Sequence, residues 1–147
     1  MLKSIHEIMQ LIGRLDKNIA DDFEDQDLDF KQWSTRSVED NIQKMIDYAV
    51  CMANGGGGSV VFGIADRVTG YENTILGVPE NLSIHEFEYR VQGETVPPIY
   101  PAFSRVEVDH GTGEILIMTV QPGTGLHYFR DGKAVIRTGK ECLPLNR

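Results

Sequence analysis

The sequence predicts one soluble domain of mixed α/β type, and three features carry that prediction. An apolar stripe at helical spacing runs through residues 38–53, a near-continuous apolar run of strand length follows at 59–64, and the second half alternates apolar and polar residues between turn signals. A length of 147 residues suits a single compact unit, and 41% hydrophobic against 24% charged residues is the balance of a globular chain.

In chain order, Ile5, Ile8, Met9 and Ile12 fall near helical spacing behind Ser4, with Glu7 as capping-box partner. A short amphipathic helix is therefore expected over 5–15, within an N-terminal segment 1–20 that leads into a domain at 21–147. The acid-rich link 16–27 precedes Leu28-Asp29-Phe30-Lys31, where alternation puts Leu28 and Phe30 on one face of a short strand. Ser37 is the cap of the clearest helix; Val38, Ile42, Met45, Ile46, Ala49 and Ala53 form its buried stripe, and Asn54-Gly55 supplies residues that favour a left-handed end. The run from Ser59 to Ile64 reads as a strand covered on both faces. Ser83 and Glu86 cap a further helix reaching about Glu94, and Pro97, Pro98 and Pro101 forbid its continuation. Val106 and Val108 belong to a hairpin whose returning strand is 115–120. A second hairpin is expected between 127–129 and 134–137, turning at Asp131-Gly132.

Composition narrows the function classes. No stretch approaches the roughly 18 apolar residues of a membrane span, and Met1-Leu2-Lys3-Ser4 lacks a secretory core, so a cytoplasmic protein is expected. Cys51 and Cys142 lie far apart without CxxC spacing; both are read as buried or idle thiols, with neither a zinc site nor a disulfide framework. Fourteen basic against 22 acidic residues give a net charge of −8, which opposes long-range attraction of phosphate backbones. The charge is uneven, however. Six acids fall between Asp21 and Asp29, whereas 126–147 carries a net +3.

Several motifs then occur in a telling order: Glu24, Leu28-Asp29-Phe30-Lys31, a helix ending Met52-Ala53-Asn54, the glycines 55–58, Gly63-Ile64-Ala65-Asp66, and a late Ile136-Arg137-Thr138-Gly139. This order resembles the AlbA-like domain of the Schlafen family, also found in bacterial transcriptional regulators and RecG-like, helicase-related proteins. The resemblance covers roughly residues 24–141. It implies an α+β fold, a mixed β-sheet flanked by helices and completed by C-terminal antiparallel hairpins. It further implies binding of DNA or RNA, usually beside additional domains, and an enzymatic alternative. Three acids act together in the Schlafen ribonucleases, and their pattern falls here on Glu24, Asp29 and Asp66, with Asp29 one methylene shorter than the usual Glu.

Clustered carboxylates repel and are best tolerated around a divalent cation, so Mg²⁺ or Mn²⁺ is the cofactor of that alternative, a metal-dependent nuclease. Glu24 and Asp29, five apart, face opposite sides of a straight strand and converge only across a bend. The competing reading of the run 21–29 is a solvated acidic loop. An EF-hand is excluded, because Phe30 and Arg36 stand where a calcium loop from Asp25 needs Gly and Glu. The glycines 55–58 follow a helix and precede a strand, the reverse of nucleotide-binding loops, and are read as a helix end with close backbone packing.

Lys31, Arg36, Arg67, Lys133, Arg137 and Lys140 are the candidate phosphate contacts, expected to form a contiguous cationic strip. Tyr128 and Phe129 could stack on unpaired bases, with one of them expected to turn inward. His127 is read as a lone polar histidine and Trp33 as a packing anchor. The leading reading is a nucleic-acid-binding module. A metal-dependent nuclease is the alternative, and a protein-interaction domain, including a homodimer, is the third class.

Overall fold

The structure, a computed structural model, describes residues 2–111 and 113–145. Arg147, one of the C-terminal cations, lies outside the described residues. The expected α+β architecture is present. A four-stranded sheet has the order β1-β2-β5-β4, with β1 at Leu28–Lys31, β2 at Gly58–Phe62, β4 at Ala102–Glu107 and β5 at Glu114–Val120. β1 runs parallel to β2, while β5 is antiparallel to both β2 and β4.

Both faces of this sheet are covered, which is why β2 and β5 read as continuous apolar runs. On one face, α2 (Val38–Asn54) and α4 (Ile84–Glu94) pack over Val60, Phe62, Leu116, Met118 and Val120. On the other, α1 (Ile5–Ile12) brings Ile8 and Ile12 to Leu28, Phe30, Val61, Ile115 and Ile117. The period of two along β5 divides its side chains between the two cores. Trp33 is the anchor expected of it, buried against the rings of Phe62 and Phe87. Ser4, Ser37 and Ser83 each accept a backbone N–H from the third residue of their helix, and Glu7 completes the capping box of α1. α3 is a single turn, Tyr71–Thr74.

Several local expectations change. The first helix stops at Ile12 because Arg14 and Leu15 bond to carbonyls three residues back, although Leu15 stays buried. Gly55 is not the left-handed residue at the end of α2, since its φ is −93°; Gly56 and Gly57 take φ of 99° and 90°, and Gly57 N–H closes the helix on Met52 O at 2.7 Å. The second hairpin pairs differently. The Asp131-Gly132 turn forms, but β6 (Tyr128–Phe129) joins β3 (Thr95–Val96). β7 (Val135–Thr138) pairs with β8 (Glu141–Pro144) across a tighter two-residue turn at Gly139 and Lys140, a more local closure.

The cysteines are also not idle. Cys51 on α2 and Cys142 on β8 form a disulfide that ties the terminal hairpin to the helix across 91 residues. Two cysteines without a local motif give no sign of pairing; the contact follows from β8 being laid along α2. The glycine run is explained by close approach. A Cβ at Gly55 would stand 2.5 Å from the Cβ of Arg137 on β7, and one at Gly58 would collide with the Met52 sulfur.

The disulfide closes a long loop, so its removal is expected to cost about 2–4 kcal/mol. Urea unfolding of the oxidised chain against Cys142→Ser measures this; equal stabilities would show that β8 is held by its other contacts alone.

Candidate functional site

The edge of β1 is where charge collects. Asp29 projects to the α2 side of the sheet and is 1% exposed, so its carboxylate needs cationic partners. Arg137 Nη1 donates to Asp29 Oδ2 at 2.8 Å, and Lys31 Nζ lies 3.1 Å from Oδ1, an oxygen that is buried without a well-aligned hydrogen bond. Arg137 is itself 2% exposed, and its other donors reach Asp25 O and Leu28 O at 2.8–3.2 Å. Burial alone would lower the Lys31 pKa, but the charge of Asp29 and contact with Tyr48 push it up to about 12. Its ammonium sits 4.8 Å from the centre of the Tyr48 ring.

Glu24 lies one step outward. Its Oε2 accepts the Phe30 N–H at 2.9 Å, satisfying an edge-strand donor that has no strand neighbour on that side. Desolvation pushes the Glu24 pKa up to about 7; the Phe30 N–H opposes this, while the Asp29 charge and hydrogen bonding to the Asp29 and Asp21 carboxyls reinforce it. Asp21 sits three residues earlier in a 3₁₀ turn, Ala20–Phe23, and its N–H donates to Asp66 O at 2.8 Å. That bond draws the turn to the segment after β2. One carboxylate oxygen each from Asp21, Glu24 and Asp66 thus falls within 4.8 Å of the others. Although desolvation acts to raise it, the Asp21 pKa is lowered by the Glu24 hydrogen bond and the charges of Lys140 and Arg67.

The structure therefore brings Glu24 and Asp66 together but sets Asp29 behind them, locked between Arg137 and Lys31, while Asp21 takes the third place. The bend needed between Glu24 and Asp29 is present, with Asp25 and Leu28 closing a tight turn. Asp21 was lost to sequence reasoning in a run of six acids; its i, i+3 spacing from Glu24 on a helical turn is the signal that singles it out.

The cations do not form the expected continuous strip. Arg137 is a buried clamp and not a surface phosphate contact, because Asp29 needs its charge inside. Lys31 is held by Asp29, Arg36 by Asp40 at 2.9 Å, and Arg67 stands 4.0 Å from Asp21. Lys140 Nζ donates to Asp21 O at 2.7 Å and lies 3.5 Å from its Oδ2. Lys133 alone of the six lacks a carboxylate partner among the described residues. Tyr128 and Phe129 are both half-buried, and His127 is anchored by Asn54 and by Pro97 O.

The frame around these residues is shared with known proteins. A model of the family described as Schlafen, AlbA_2 matches residues 24–146. The chain belongs to that family. A solved structure, the DIP2311 protein from Corynebacterium diphtheriae, superposes with a TM-score of 0.66 at 21% identity, covering 82% of this chain. The chain spans 25% of that protein's length, so the likeness is one of fold. No curated protein matches the sequence. In this Schlafen AlbA_2 domain the motif residues are largely structural. Asn54 bonds both His127 and Val135 backbone groups, and Gln26 joins Gly55 O, Arg137 O and the Gly139 N–H.

Two outcomes follow from this geometry. Arg137→Met is expected to cost about 3–5 kcal/mol in urea unfolding because it leaves the buried Asp29 carboxylate to Lys31 alone and removes the donor to Oδ2. Arg137→Lys is expected to recover only part of the loss, since an ammonium cannot match the guanidinium's spread of bonds; full recovery would refute the clamp.

Glu24 holds its proton more tightly folded than unfolded. Its contribution to stability is present below the ordinary value of 4.5 and is lost as pH rises through about 7. Relative to Glu24→Gln, the parent is expected to lose roughly 2 kcal/mol of stability between about pH 4 and pH 8. A stability gap between the two proteins that does not move with pH would contradict the raised pKa.

Proposed function

We propose that this domain handles nucleic acid, with a backbone phosphate docking at the Asp21, Glu24 and Asp66 group. The convergence of three carboxylate oxygens within 4.8 Å carries this reading. The donor set fits a hard divalent cation: all ligand atoms are oxygens, and Glu24, its pKa raised to about 7 chiefly by burial and further by the Asp29 and Asp21 carboxyls, would gain a counter-charge there. Bound there, Mg²⁺ or Mn²⁺ would neutralise the acids and polarise a phosphate oxygen. Arg67 and Lys140 flank the group through Asp21, and both are exposed enough to exchange that carboxylate for a phosphate. Family membership supports the nucleic-acid class, while the net charge of −8 makes the approach of a polyanion dependent on this local arrangement.

A second reading, phosphodiester cleavage, is favoured by one observation. A carboxyl with its pKa near 7 beside two other acids is suited to moving protons at neutral pH. DNA against RNA is decided by the same experiment.

Labelled DNA and RNA oligonucleotides are titrated with the chain in EDTA and in Mn²⁺ at several salt concentrations. Mn²⁺ is expected to tighten binding, Asp66→Ala to abolish that gain, and rising salt to weaken association. Cleavage products lost in Asp66→Ala would add the nuclease activity. Binding that is indifferent to Mn²⁺ and to Asp66 would remove the acid group from the function.

A further inference from the structure

A groove of about 480 Å³ lies between the end of α4 and the proline-rich segment that follows β3, and it shares no residue with the acid group. Its volume is within the roughly 300–1,000 Å³ of small-ligand clefts. Two tyrosines flank it, Tyr89 at 72% and Tyr100 at 70% exposure, far more open than aromatic rings usually stand. The floor is open at Gly93, where an added Cβ would meet nothing within 4 Å.

Arg130 closes one side. Its Nε donates to Gly93 O at 2.7 Å, which fixes the guanidinium, while its Nη groups have no protein acceptor among the described residues. No carboxylate neutralises it there, and the same holds for Lys133, three residues on in the same turn. Arg90, also in the groove, is by contrast held by both oxygens of Glu39 at 2.7–2.8 Å. Glu94 is the groove's one acid. The pairing of Val96 with Tyr128 pins the two walls together, so the rings and the guanidinium belong to one preformed surface.

We infer that this groove is a stacking platform for single-stranded nucleic acid, with Tyr89 and Tyr100 taking unpaired bases and Arg130 with Lys133 taking the backbone. Exposed aromatic faces beside unneutralised cations match the two chemistries of a single strand, whereas a duplex hides its base faces. The inference rests on the nucleic-acid reading above and gives it a strand class.

The test is fluorescence anisotropy of a labelled oligothymidylate with the intact chain in EDTA, where a cation at the acid group contributes nothing. The double variant Tyr89→Ala, Tyr100→Ala is expected to bind about tenfold more weakly, and the corresponding Phe pair to bind as the parent does. Arg130→Ala is expected to lower the salt slope by about one. The rings are exposed, so an unchanged melting temperature confirms that the variants fold. Equal affinity of parent and Ala pair, a preference for duplex, or capture of a proline-rich peptide in place of any oligonucleotide would each overturn the platform. If the parent fails to bind in EDTA yet binds through Asp66 in Mn²⁺, the platform falls and the acid group stands.

Discussion

Asp29 and Arg137 are two opposite charges buried at opposite ends of the domain's sequence, 108 residues apart and joined at 2.8 Å. Neither is tolerable inside alone, since an uncompensated interior charge costs several kcal/mol. The pair therefore favours the closing of strand β1 and the terminal hairpin on each other. The rest of that corner follows from the closure. Gly55 lacks a side chain because β7 crosses the helix end at the Cβ of Arg137, and Gln26 threads its amide between Gly55, Arg137 and Gly139. The disulfide fastens the same hairpin from its far strand.

Local pairing explains why an excess of acids leaves so little free cation. Around the β1 edge, Lys3, Lys31, Arg67, Arg137 and Lys140 each find a carboxylate within 4 Å, and Asp21 alone attracts both Lys140 and Arg67. Such exposed pairs are weak, typically under about 1 kcal/mol, so they hold the cations in place without committing them. The Asp29 pairs differ in kind, because burial makes them permanent parts of the frame. Exposure and not residue type thus separates the cations in exchangeable surface pairs from the one fixed in the interior.

Much of this was legible in the residues. The caps at Ser4, Ser37 and Ser83, the stripe of α2 and the doubly covered β2 all follow from spacing and local chemistry, and all are in place. What sequence could not reveal depends on contacts between distant segments. The partner of β7, the Cys51–Cys142 link and the burial of Arg137 are set by how the terminal hairpin lies on α2, and no local pattern encodes that. The acid group was legible only in part for the same reason. Glu24 and Asp66 were marked by motif, but the exchange of Asp29 for Asp21 turns on a 3₁₀ turn drawn to the Asp66 carbonyl.

The division of labour among the motif residues bears on what the family likeness means. Asn54, Gly55, Gly58 and Arg137 position backbone, each by a hydrogen bond or a contact too close for a larger residue. Asp21, Glu24 and Asp66 position charge, and of these three Glu24 also holds backbone with its side chain, covering the Phe30 N–H with one oxygen while its carboxyl faces Asp21 and Asp29. A shared frame can thus persist with its acids altered, provided that the β1 edge stays covered. On the reading proposed above, those three acids and the tyrosine groove are where function would be placed on this frame, while Asn54, Gly55, Gly58 and Arg137 serve the fold.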